Sequence, residues 1–157
     1  MTMRYRRNIN TMTVVAAAGF AGANLFIGLS MGAIWLDADP LSFMNGFWDQ
    51  FTRFTYTIMP LFTLTLVGLV LSARLDWGDA QIRRLWLIAI GLYIATSAIT
   101  MLYHLPLNFA LRAAEFNMEE AAGARSGWLI WNIPRVVLAF AIPTVALRAI
   151  FEFRDRP

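Results

Sequence analysis

The 157-residue chain is 59% hydrophobic and only 15% charged, with a formal net charge of +3. Soluble domains carry about 25% charged residues, so this composition excludes an ordinary soluble globule and points to a bilayer as solvent. Zero cysteines and a single histidine exclude disulfides, thiolate metal or iron–sulfur sites, a cysteine nucleophile and two-histidine haem ligation within one chain. The arginines fall at the ends of apolar runs and form no patch, which argues against nucleic-acid binding.

The first apolar run, Thr11–Leu36, follows Arg4, Arg6 and Arg7. It is too long for the roughly 7–15-residue core of a secretory signal, so it reads as a retained first span. Asn24 lies near its middle, where a primary amide needs partners: either an interhelical hydrogen bond or a place on the polar wall of an internal pocket. Gly28 and Gly32, with Ala18 and Gly22 upstream, form a small-residue face that lets another backbone approach. That contact is expected within the chain, in a homo-oligomer or with partner membrane subunits.

Asp39-Pro40 reads as an N-cap followed by proline at the first helical position, so the second helix is expected to start well before its span at Tyr56–Ala73. Phe43, Phe47, Phe51 and Phe54, with Trp48, place an aromatic stripe on that interfacial extension. Ordinary packing and a substrate-contacting lid both suit such a stripe. The third run, Leu85–Leu105, ends with His104, Pro106 and Asn108. A helix-forming stretch, Asn108–Ala122, then predicts a helical outer loop broken at Gly123 and Gly127.

The fourth run, Trp128–Ile150, contains Arg135 and no acid. Arginine keeps its charge in a protein, so in lipid it needs a partner, a wet cavity or a route to the interface for its head group. Trp128, Asn132 and Arg135 share one helix face, with Arg135 roughly 10 Å below Trp128 at 1.5 Å per residue. Pro134 loosens the backbone hydrogen bonding beside it. His104, Asn108, Trp128, Asn132 and Arg135 are therefore expected to meet at one level of the bundle.

Each run is near the roughly 20 residues that span a hydrocarbon core, and backbone groups in lipid must pair internally. The expected fold is an all-α, integral membrane four-helix bundle, one domain over residues 1–157 with spans near 11–36, 56–73, 85–105 and 128–150. Nine arginines (Arg4, Arg6, Arg7, Arg74, Arg83, Arg84, Arg148, Arg154, Arg156) lie on one side against Arg53, Arg112 and Arg125 on the other. Glu115, Glu119 and Glu120 lie on that second side with three aspartates. This asymmetry predicts both termini in the cytoplasm and a location in a bacterial inner membrane.

The stretch His104-Leu-Pro-Leu-Asn108, followed by Trp128, Trp131, Asn132 and Arg135, resembles the small four-helix membrane family that includes the anthrone oxygenases. There a short Asn-x-Pro-[Leu/Ile]-Asn motif ends the third helix, and a Trp, an aromatic, an Asn or His, and an Arg open the fourth. Pro106, Asn108, Trp128, Trp131, Asn132 and Arg135 match residue by residue, whereas His104 stands where the family has Asn. The resemblance implies oxidation of an anthrone-like phenolic or quinol-like substrate by dioxygen, without a metal or flavin cofactor. It casts His104 as base, Arg135 as fixed charge, and Asn132 and Asn108 as orienting donors. Trp128, Trp131 and Asn24 would complete the wall around an apolar aromatic small molecule. Two other readings compete: a non-catalytic accessory subunit of a larger membrane complex, and a lipid- or small-molecule-binding protein. Transport fits poorly, because the inner halves of the spans are almost wholly apolar.

Overall fold

A computed structural model describes residues 3–113 and 116–154, with side chains through residue 152; Glu115 and Arg156 of the charge count lie outside the described residues. The described chain is helical: α1 (Met3–Phe26), α2 (Gly32–Asp37), α3 (Pro40–Leu75), α4 (Ala80–Ile99), α5 (Leu105–Ala113) and α6 (Met118–Arg154). Two π-helical turns, Ile27–Met31 and Thr100–His104, join α1 to α2 and α4 to α5 without a break. The result is four rods of 35, 36, 34 and 35 residues, each long and apolar enough to cross a membrane. At 1.5 Å per residue each exceeds the roughly 30 Å hydrocarbon core, so every rod extends beyond it.

The bundle follows from a buried stripe on each rod. On α6 the buried positions are Ala121, Trp128, Asn132, Arg135, Ala139, Ile142, Ala146 and Ala149, and on α4 they are Ile82, Trp86, Ala89, Tyr93 and Thr96. These alternating steps of four and three, from Trp128 onward on α6, build the seam of a left-handed bundle. Each rod packs beside the next in sequence, and α6 closes against α1. Two apolar clusters fill the interior. One, rich in alanine, surrounds Phe20, Leu69, Trp86 and Ile142 near the end that carries both termini. The other, rich in aromatics, gathers Trp35, Phe43, Phe47, Leu111 and Trp128 at the far end.

The expected start of the second helix is observed. Asp39 caps α3, its carboxylate accepting from the backbone amides of Leu41 at 3.1 Å and Ser42 at 3.2 Å. The outer connection is helical as expected, but it divides before Met118 and not at the glycines. Asn117 and Glu120 close a reciprocal capping box at 2.9 and 3.0 Å, which starts α6 and carries it through Gly123 and Gly127. A side chain at Gly127 would meet the Tyr103 hydroxyl, so this glycine serves a close approach and not a helix end.

Candidate functional site

The far end of the bundle holds a cavity of about 330 Å³. Trp35 of α2, Phe47, Phe51 and Phe54 of α3, and Trp128 of α6 form its aromatic wall. Asn108 of α5 and Arg135 of α6 supply polar lining, and both π-turns reach it through Ile27, Thr100 and Met101. The predicted aromatic stripe thus packs the far-end core and lines this cavity as well.

Trp128 organises the wall. Its indole Nε1 donates to Asn108 Oδ1 at 2.9 Å, which locks α6 to α5. Trp35 meets it edge-on with ring centroids 5.0 Å apart, and the Trp35 indole in turn donates to Gln50 Oε1 at 2.7 Å. The Arg135 guanidinium lies 5.4 Å from the Trp128 ring, within range of a cation–π contact. His104 meets the same indole at 4.7 Å between ring centres. One tryptophan therefore touches both candidate charge-handling residues.

The electrostatics are incomplete in a specific way. Arg135 is 7% exposed, its Nε has no hydrogen-bond partner, and no carboxylate among the described residues pairs with it. Asp49 pairs with Arg53 at 3.1 Å on the surface. His104 is fully buried with neither ring nitrogen hydrogen-bonded, and the Trp131 carbonyl and the Arg135 guanidinium are its electrostatic neighbours. Buried polar groups are almost always satisfied in folded proteins, so two side chains with unpaired nitrogens on one indole single this place out.

Of the residues read from the sequence, Asn108, Trp128 and Arg135 line the cavity together. His104, read as a candidate base, contacts the wall through Trp128 but is not on its surface. Asn132 shares the buried stripe but faces the Ile27–Met31 turn, where its amide lies against Gly28, and its Oδ1 has no partner. It borders a separate groove with Gly28 and Gly32, which approach α6 of the same chain, whereas Ala18 and Gly22 upstream are exposed. Asn24 donates to the Phe20 carbonyl at 2.8 Å, an intrahelical bond, and does not reach the cavity. Trp131 points outward and meets the Tyr103 ring at a tilt, with centroids 5.2 Å apart.

Sequence reasoning missed Trp35 and the π-turns. Pro106 was the available signal for the second turn: it cannot donate to the Leu102 carbonyl, and a wider turn immediately before it absorbs that loss. Arg125 was missed as well. Its Nη1 donates to the Trp35 carbonyl at 2.9 Å and the Ala38 carbonyl at 2.6 Å, capping the end of α2 and fixing Trp35 over the cavity.

With this geometry in place, the sequence profile of the family described as anthrone oxygenase matches residues 48–144. The matched segment contains His104, Asn108, Trp128 and Arg135, whereas Ile27 and Trp35 lie before it. No curated protein and no solved structure matches the chain.

Proposed function

The chain belongs to the anthrone oxygenase family, and from that premise we propose that it oxidises an anthrone-like or quinol-like polyaromatic phenol with dioxygen. The observation that carries this reading is the uncompensated Arg135 charge at the wall of an otherwise aromatic cavity. Such a site favours a flat ligand with delocalised negative charge: the indole and phenyl rings take the faces and the guanidinium takes the oxygen. For an anthrone the balance is one substrate and one dioxygen to one quinone and one water. Loss of the ring proton leaves a delocalised anion that passes an electron to dioxygen. The resulting superoxide then combines with the carbon radical, and the hydroperoxide loses water to leave the second carbonyl.

Arg135 stabilises the anion and the superoxide, Trp128 supplies the wall, and Asn108 holds the Trp128 indole in place. His104 lies behind that indole and off the cavity surface, so for it to take the proton the Trp128 ring must move aside. The arginine asymmetry supports a topology with both termini on the cytoplasmic face, in keeping with a bacterial inner membrane. The test is oxygen uptake by the protein in lipid nanodiscs supplied with 1,8-dihydroxyanthrone. Uptake above that of empty nanodiscs, with one quinone formed per dioxygen, supports the reading. A rate equal to the empty-disc background contradicts it.

A further inference from the structure

We propose that the ligand enters this cavity sideways from the hydrocarbon layer, through an opening between α3 and the Thr100–His104 turn that Met59 and Met101 flank. The inference rests on the cavity being the ligand site, as read above. Burial changes systematically along the wall. Trp35, Phe47, Trp128 and Arg135 at one end are all buried, whereas Met59 and Met101 at the other are 50% and 52% exposed. Both methionines fall within the apolar runs Tyr56–Ala73 and Leu85–Leu105, so the exposed end faces lipid tails and not water.

The end towards the α2–α3 turn is closed by the packed rings of Trp35, Phe43, Phe47 and Trp128, and Arg125 ties the end of α2 over them. The side opening is chemically suited to an apolar visitor. The Thr55 hydroxyl donates to its own helix at the Phe51 carbonyl (2.9 Å), and Thr100 does the same at Thr96 (3.2 Å). Neither therefore offers an unsatisfied polar group to the passage. Methionine is unbranched and adaptable, which suits a pair of side chains that yield to a flat ring and close behind it. Met59 and Met101 are thus gating residues for a membrane-dissolved aromatic, and Arg135 waits at the buried end.

The test is rapid mixing of the nanodisc-embedded protein with 1-aminoanthracene, a fluorescent three-ring probe, which reads association and dissociation separately. Met59→Trp combined with Met101→Trp is expected to slow both rates by about ten-fold while leaving Kd within about two-fold. Met59→Ala with Met101→Ala is expected to speed both, which keeps the test decisive should the bulky pair fail to fold. Leu102→Trp is the control: Leu102 is 80% exposed beside Met101 but does not line the cavity, and both rates should be unchanged. Rates insensitive to both methionine pairs, or a change in Kd with an unchanged association rate, would overturn the side entry alone. A wild-type protein that fails to bind the probe would overturn the ligand site along with it.

Discussion

At the end of the bundle that carries the termini, Asp76 is 1% exposed and surrounded by donors: Arg6, Asn10 Nδ2 at 3.0 Å and Trp86 Nε1 at 2.6 Å. The Thr13 and Ser72 hydroxyls bond at 3.0 Å one turn deeper and extend the tie between α1 and α3. At the other end, Arg135 is also buried but has no carboxylate among the described residues, and the neighbouring imidazole is unbonded. Both ends exclude water from a charge, yet only the first compensates it. A satisfied buried ion holds three rods together, whereas an unsatisfied one costs stability. The two ends therefore differ in kind: the Asp76 end ties the fold, and the Arg135 end carries the charge that the proposed function assigns to ligand binding.

Substitutions at the two ends sharpen that division. The largest effect on stability is expected from Asp76→Ala, which strands several buried donors. Thermal or denaturant unfolding in detergent should show a loss of about 3–5 kcal/mol. Trp128→Phe is intermediate, because it keeps the aromatic wall but leaves Asn108 Oδ1 without its indole donor; about 1–3 kcal/mol should be lost in the same assay. Arg135→Met is expected to leave stability unchanged or raise it by about 1 kcal/mol, since it replaces an uncompensated charge with a side chain that fits the apolar stripe. A loss as large as that of Asp76→Ala would instead make Arg135 a structural residue.

The smallest effect belongs to the surface cap on α3. Hydrogen bonds from the Ser42 side chain and backbone hold the Asp39 carboxyl below the usual carboxylate range. A depressed folded-state pKa means that the cap's contribution is complete above the unfolded pKa and disappears as pH falls through the folded one. Asp39→Ala should thus lower the unfolding temperature slightly at neutral pH and make no difference in strong acid, read by a pH series of melting curves.

The parts of this molecule legible in the sequence are those set by local composition. Hydrocarbon demands long apolar helices, so four runs of adequate length specified the rods, and Asp39-Pro40 marked the start of α3 because a cap acts within one turn. Trp128 and Arg135 were readable as one site because helix periodicity alone puts them on one face. Asn132 shows the limit of that argument. It occupies the same buried stripe, but the stripe serves two neighbours, and the packing of the first π-turn through Gly28 draws its amide away from the cavity. Trp131, three residues from Trp128, falls just outside the stripe and faces outward. The tie between Arg6 and Asp76 joins residues 70 apart in sequence, so it depends on which rods become neighbours and no local pattern announces it. The π-turns lie between these cases: a proline marks one of them after the fact, and Ile27–Met31 carries no comparable signal.

The most direct test compares Arg135→Gln with the wild type in nanodiscs, measuring unfolding temperature and dioxygen-coupled oxidation of 1,8-dihydroxyanthrone on the same samples. The charge-for-ligand account predicts an unfolding temperature equal to or above that of the wild type and turnover reduced by about 100-fold or more. Retained turnover, or a collapse in stability that alone explains the lost activity, would contradict it.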